Sequence, residues 1–162
     1  MKLTSTPNQE LQFCRPTVSF VLLITLLLLW LASGCSVQDQ VANHEDRLIG
    51  TWIIDKASFD EDGALFNRNV TDDFEGDELV FYEDGTVEYF AADGRIFSGP
   101  WFIDALRDLD DDLEFTLDAD FFLPSGVLAF RWSGTIQKLT ENNFNLNVPE
   151  VDGTLRLRWD KI

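Results

Sequence analysis

The chain has 162 residues, of which 45% are hydrophobic and 25% charged, the composition of one globular domain with an appendage. It holds 12 basic and 29 acidic residues, a formal net charge of −17. Such a surface repels polynucleotides and anionic lipids, which argues against nucleic-acid binding. We interpret the charge as a solvated exterior, in preference to a binding surface for basic partners or divalent cations.

The appendage lies at the N-terminus. Residues 17–32, TVSFVLLITLLLLWLA, carry no charge and follow Lys2 and Arg15. This run is short for a membrane span of about 20 residues and slightly long for a secretory signal. Small residues and then a cysteine come next, in the sequence Ala32-Ser33-Gly34-Cys35. The stretch resembles the lipobox of bacterial lipoproteins, in which the signal is cut before the cysteine and the cysteine carries the lipid.

This resemblance implies a lipoprotein signal peptide over residues 1–34 and a membrane anchor through a lipid on Cys35. Localisation in the bacterial cell envelope follows, and Ser36 after the cysteine favours the outer membrane over the inner one. Ordinary signal cleavage at the same bond and an uncleaved signal anchor stay open as alternatives. The mature chain from Cys35 has 10 basic and 28 acidic residues, hence a formal charge of −18, and Cys35 is its only cysteine. A disulfide framework is therefore not expected.

Residues 36–47, SVQDQVANHEDR, are polar and show no strand alternation. We predict that 35–47 is a lipid-anchored tether that lifts the domain off the membrane. We expect no amphipathic helix after the signal peptide.

From residue 48 onward, apolar and polar residues alternate with a period of two, which is typical of antiparallel strands with one buried face. Val127–Leu139 shows this best, because Phe130 and Trp132 share one parity and Arg131 and Ser133 the other. Strands are predicted near 49–56, 78–82, 86–91, 95–103, 112–118, 127–138, 143–148 and 154–161. Ala64-Leu65-Phe66, after Asp62-Gly63, could add a ninth.

Three Asp-Gly pairs lie between these strands, and their glycines suit tight hairpins. They are Asp84-Gly85, Asp93-Gly94 and Asp152-Gly153. Strands that are neighbours in sequence are therefore neighbours in space, and closing such a meander removes its exposed edges. We predict an all-β domain over 48–162, a single up-and-down antiparallel β-barrel of about eight strands.

The first strand opens with Gly50-Thr51-Trp52, and a long connection follows Lys56. This order resembles the lipocalin superfamily, and more narrowly the lipocalin-like domains of bacterial lipoproteins. The resemblance implies that Trp52 plugs the closed end of the barrel and that Gly50 allows a sharp bend. It also implies that an arginine of the last strand, Arg156 or Arg158, packs across the plug. The similar Gly99-Pro100-Trp101 is interpreted as like local geometry, with Pro100 marking a bulge or edge.

We do not expect an enzyme, a metal site or a cofactor. The only histidine, His44, lies in the predicted tether, which removes Ser-His-Asp triads, Cys-His pairs and histidine-ligated zinc. Asp108, Asp110 and Asp112 have the spacing of a calcium loop, but Leu113 stands where that loop requires glycine. We interpret this segment as a solvated turn.

Two function classes remain. The barrel either carries a small molecule or is filled by side chains and binds an envelope protein. The candidate ligand-binding residues are Phe81, Tyr89, Phe115, Phe121, Phe122, Phe130, Trp132 and Phe144. The apolar stretch Phe121–Pro124 is predicted to be a loop folded over the barrel mouth as extra core, and a lid over a ligand or a contact for a partner stays open as the alternative. Because Arg131, Arg156 and Arg158 have the outward parity, the expected ligand is neutral and apolar, or there is none.

Overall fold

The computed structural model describes residues 36–107 and 112–162. The predicted signal peptide, the lipidation of Cys35 and most of the acidic turn at Asp108–Asp112 lie outside these residues. In the two described stretches, no helix combines the length and the apolar character needed to cross a membrane.

The part of the chain that the structure describes folds into one helix, α1 (Val37–Leu48), a 3₁₀ turn (Thr71–Phe74) and nine strands. The strands are β1 Gly50–Glu61, β2 Arg68–Asn69, β3 Glu78–Phe81, β4 Thr86–Phe90, β5 Ile96–Arg107, β6 Leu113–Phe122, β7 Leu128–Leu139, β8 Asn143–Glu150 and β9 Gly153–Lys161. Neighbours pair antiparallel in the order β2-β1-β3-β4-β5-β6-β7-β8-β9, and β1 also pairs with β9. The result is a closed eight-stranded barrel with β2 at its side, so the predicted all-β up-and-down barrel is confirmed.

The extra strand lies later than predicted. It is formed by Arg68 and Asn69, which pair with Phe59 and Ser58 of β1, and not by residues 64–66. Leu65 and Phe66 are almost fully exposed in the connection before it.

The barrel closes along a long seam between β1 and β9. The register runs from Trp52 opposite Lys161 to Glu61 opposite Gly153, with an irregularity between Ile54 and Lys56. Pairing along this seam satisfies the backbone groups that an open sheet would leave at its two edges.

Aromatic rings pack through the barrel interior. Trp52 contacts Phe144 at a centroid distance of 5.8 Å, and Trp132 contacts Trp159 at 5.8 Å. Phe81 and Phe121 add two more rings to the fully buried core. Its aliphatic members include Leu79, Leu117, Leu146, Leu157 and Val87. The interior is therefore occupied largely by interlocking side chains.

The residues of the predicted tether form the helix α1. Its N-terminus has a capping box, because the Ser36 hydroxyl accepts from the Asp39 amide at 3.2 Å and the Asp39 carboxylate accepts from the Ser36 amide at 3.0 Å. At its other end Leu48 is fully buried, and the His44 ring stacks on Phe115 at 3.8 Å. The expectation of no helix in this region was therefore wrong.

Candidate functional site

The up-and-down topology gives the barrel two different ends. One, the closed end, holds Trp52, α1 and the turns after β3 and β7. The other, the open end, holds the long connection between β1 and β3 and the turns at 91–95, 123–127 and 151–152.

At the closed end, Trp52 is fully buried and its indole Nε1 donates to the Leu48 carbonyl at 2.7 Å. The Lys161 Nζ lies 5.0 Å from the Trp52 ring centroid and donates to the Arg47 carbonyl at 2.9 Å. Partial burial lowers the pKa of Lys161 from its ordinary value. Gly50 has a φ of +130°, and a Cβ added there would lie 2.5 Å from the Lys161 Cε. The closed end therefore needs glycine beside the lysine.

The cation over Trp52 is not the expected arginine. Arg156 pairs with Asp60 at 2.5 Å and Arg158 pairs with Asp55, and both arginines are exposed on the outer face. Lys161 takes the position over the ring because it shares the inward parity of the buried Leu157 and Trp159, whereas the two arginines have the outward parity.

A cleft of about 570 Å³ lies at the open end. Its aromatic wall consists of Phe74, Tyr89, Phe97, Phe130 and Trp132. Six carboxylates also line it, those of Asp72, Asp73, Glu75, Asp77, Asp93 and Glu150. An apolar wall inside a rim of negative charge can hold a small molecule and select among charges.

Asp77 is the buried member of this rim. Its side chain accepts from the Tyr89 hydroxyl through Oδ2 and from the Ala92 amide through Oδ1 at 2.7 Å, and the residue is only 7% exposed. Within the two described stretches, Asp77 takes part in no ion pair. Burial, and then the Asp77 carboxylate, raise the pKa of Tyr89 above its ordinary value, so its hydroxyl stays a donor.

The cleft also has two arginines, and each is engaged by a carboxylate. Arg95 pairs with Asp93 at 2.7 Å, and its guanidinium carbon lies 5.5 Å from the Phe97 ring centroid. Arg131 makes a two-point pair with Asp120, which raises the pKa of the arginine further.

Of the aromatic residues selected from the sequence, three line the cleft: Tyr89, Phe130 and Trp132. Phe121 lies behind them, fully buried and stacked on Phe130 at 4.5 Å. Near Trp52, Phe144 packs at 5.8 Å, and Phe81 contacts Phe144 at 6.4 Å.

Two further candidates lie away from the cleft. Phe115 stacks on His44 at the closed end. Phe122 has the outward parity of β6, and a Cβ added to Gly99 would lie 3.0 Å from its ring. Neither residue lines the cleft.

The prediction of a loop over Phe121–Pro124 was wrong for Phe121 and Phe122. Phe121 and Phe122 are the last residues of β6. The turn runs from Leu123 to Val127, and the Leu123 amide donates a hydrogen bond to the Val127 carbonyl at 2.9 Å. Pairing with β7 keeps both phenylalanines in the ladder, so no apolar loop covers the mouth at this point.

Sequence reasoning missed Asp77, Phe74 and Phe97. Phe97 carries the same inward parity as the buried Trp101 and Ile103, which was a usable signal. Asp77 gave none, because it is one acid among 29 and only the fold brings it beside Tyr89.

No family model, curated protein or solved structure matches this chain. The barrel is compatible with a lipocalin-like fold in strand number and connectivity. The geometry of the open end is therefore the best indication of what the protein binds.

Proposed function

We propose that this chain is a small-molecule binding protein that takes its ligand at the open end of the barrel. The observation that carries this proposal is the cleft of about 570 Å³ walled by five aromatic side chains. Ligand sites are typically clefts of roughly 300–1,000 Å³ with apolar walls and a few polar groups.

The ring packing inside the barrel bounds where a ligand can lie. Tyr89, Phe121 and Trp132 contact one another at centroid distances of 5.1 to 5.9 Å directly below the cleft. A ligand therefore occupies the mouth and rests its apolar part on Tyr89 and Trp132, and it does not extend along the barrel axis.

We also propose that the protein is a lipoprotein of the bacterial cell envelope, anchored through a lipid on Cys35. The outer membrane is proposed as its location in preference to the inner membrane. The support is Ala32-Ser33-Gly34-Cys35 after an uncharged run. An anchor next to Ser36 would hold the protein at a membrane while the cleft collects its ligand.

Interaction with an envelope protein is the second candidate function. It is favoured by the filled interior and by Leu65 and Phe66, which are 90% and 86% exposed beside the open end. Apolar side chains exposed to this degree are suited to contact a partner.

The test of the first proposal uses three probes with one phenylbutyl body: 4-phenylbutan-1-ol, 4-phenylbutyltrimethylammonium and 5-phenylpentanoate. Each is titrated into the folded domain, and binding is followed by calorimetry and by NMR shifts of the Trp132 indole. At least one probe should bind saturably at the mouth. Ala129→Trp, which fills the cleft from an exposed lining position, should abolish that binding.

Ala42→Trp is the matched control, because Ala42 is an exposed position on α1 at the closed end. It should leave binding unchanged. If no probe binds, or if Ala129→Trp binds as well as the parent, the cleft is not a ligand site and the interaction function is preferred.

A further inference from the structure

We propose that the open-end cleft selects a ligand with a positive charge, a small organic ammonium ion that carries an apolar body. This inference rests on the proposed function and adds the charge of the ligand to it. It departs from the neutral ligand expected from the sequence, because the fold places the acidic run 72–77 together with Asp93 and Glu150 beside the aromatic wall.

The charge balance of the cleft favours a positively charged ligand. Six carboxylates and two guanidinium groups line it. Arg95 is paired with Asp93 of the same cleft, and Arg131 is paired with Asp120 outside it. The remaining acids, Asp77 above all, have no described ion-pair partner. A cation that enters is attracted by this field, and an anion is repelled.

The aromatic wall of the cleft also favours a cation. The face of an aromatic ring attracts a cation, most strongly in tryptophan, and the effect grows when water is removed. The protein already makes this contact at the cleft, where the Arg95 guanidinium lies over Phe97. Trp132 and Phe130 offer further rings to the same cleft. Alkylammonium groups can use such rings and the carboxylates together.

Hydrogen bonds to β1 fix the position of the acidic rim. The Thr71 hydroxyl accepts from the Ala57 amide at 3.0 Å and donates to the Asn69 Oδ1 at 2.7 Å. The Val70 amide donates to the Ala57 carbonyl at 3.0 Å. These bonds tie the 3₁₀ turn that carries Asp72 and Asp73 to β1, so the rim charges are placed before a ligand arrives.

Other ligand classes fit the cleft less well. A carboxylate ligand would have to compete with Asp93 or Asp120 for an arginine. A neutral ligand would gain only the apolar contact. A metal ion needs converging ligands, and within residues 36–107 and 112–162 no three metal-binding side chains meet.

The experiment compares the affinities of the three phenylbutyl probes for the same domain. The ammonium probe should bind roughly tenfold more tightly than the alcohol at low salt, and the carboxylate more weakly than the alcohol. Added salt should weaken the ammonium probe and leave the alcohol unaffected, because only the charged probe is screened.

The charge variant is Asp72→Asn/Asp73→Asn/Glu75→Gln, three exposed rim positions whose substitution does not disturb the core. It should remove most of the ammonium preference and keep the affinity for the alcohol. Its control, Asp46→Asn/Glu83→Gln/Glu114→Gln, makes the same change of net charge at exposed positions of the closed end and should keep the preference.

The outcomes separate this inference from the function beneath it. If the alcohol or the carboxylate binds at least as tightly as the ammonium probe, the charge selection is wrong while the ligand site stands. If both triple variants lose the preference equally, it comes from net charge and the proposed rim is overturned. If no probe binds at all, the proposed function itself fails.

Discussion

Tyr89 connects the core of the barrel to the cleft. Its ring is surrounded by Phe97, Phe121, Phe130 and Trp132 at centroid distances of 5.5 to 6.1 Å. Its hydroxyl supplies one of the two donors to the buried Asp77 carboxylate. One side chain therefore supports the aromatic wall and keeps a buried carboxylate hydrogen-bonded.

The pKa of Tyr89 predicts how stability depends on alkaline pH. It is raised above 10.0, first by burial and then by Asp77, so the folded state holds its proton where the unfolded state loses it. The contribution of Tyr89 to the free energy of unfolding is fully present below pH 10.0 and is lost as the pH rises toward the folded pKa. Denaturant unfolding over this range should show a smaller alkaline loss for Tyr89→Phe than for the parent.

At neutral pH, Tyr89→Phe should itself cost about 1–3 kcal/mol, because Asp77 loses a donor. Tyr82→Phe is the control, since Tyr82 is exposed and bonds to Glu88 outside the core. Lys161 is common to all these chains, so its own titration cancels in the comparison. An equal alkaline loss in the parent and Tyr89→Phe would show that Tyr89 does not retain its proton on folding.

Trp52 should be the costliest single truncation at the closed end. It is fully buried against Phe144 and bonded to the Leu48 carbonyl, so Trp52→Ala leaves a cavity and an unpaired acceptor. We expect a loss of about 3–5 kcal/mol in the free energy of unfolding, measured by urea denaturation.

Phe102→Ala provides the comparison for Trp52→Ala, because Phe102 is 55% exposed on the outer face of β5. Its stability should stay within about 0.5 kcal/mol of the parent. If the two variants unfold alike, Trp52 does not close the barrel in solution.

Among the elements, the strands were predicted from their alternation, whereas the helix was missed. In β8, the apolar residues Phe144, Leu146 and Val148 alternate with asparagines, and this pattern predicts a strand with one buried face. The helix α1 has few apolar residues, and its stability comes from a capping box and from docking on the barrel. The Ser36–Asp39 pair was the available signal. The cleft could not be predicted, because its lining comes from the 72–77 segment, the turn at 91–95, β7 and Glu150, which only the folded barrel brings together.

Substitution of the helix cap tests whether α1 is a fixed part of the barrel. Ser36→Ala removes the hydroxyl that accepts from the Asp39 amide and should lower the free energy of unfolding by about 1 kcal/mol. The measurement is thermal unfolding followed by far-ultraviolet circular dichroism. Gln38→Ala, at an exposed position of the same helix, should have little effect. Equal effects of the two substitutions would contradict the capped helix.

At the scale of the whole molecule, the proposed anchor and the helix fall next to each other. Cys35 directly precedes Ser36, the cap of α1, and α1 lies at the closed end beside Trp52. The proposed lipid would thus be attached to the residue that precedes the helix cap in the sequence. The cleft lies at the other end of the barrel.

Cys35→Ser tests the anchor. The parent should partition into detergent, and its intact mass should exceed that of residues 35–162 by the mass of its acyl chains. Two or more chains hold firmly, at about 0.8 kcal/mol per buried CH₂. The Cys35→Ser protein should leave the membrane fraction. A variant that stays membrane-bound at full length would indicate a signal anchor, and an unacylated parent would indicate ordinary cleavage.

The seam between β1 and β9 determines when the protein can fold. It joins partners such as Trp52 and Lys161, which lie roughly a hundred residues apart in the chain, so its formation waits on the closure of a long loop. A chain emerging from a ribosome or a translocation pore cannot complete the barrel until β9 has followed β1 out. Until then the edges of β1 and β8 are open to pairing with other chains. On the proposed route to the envelope, these edges would have to be protected until β9 has paired with β1.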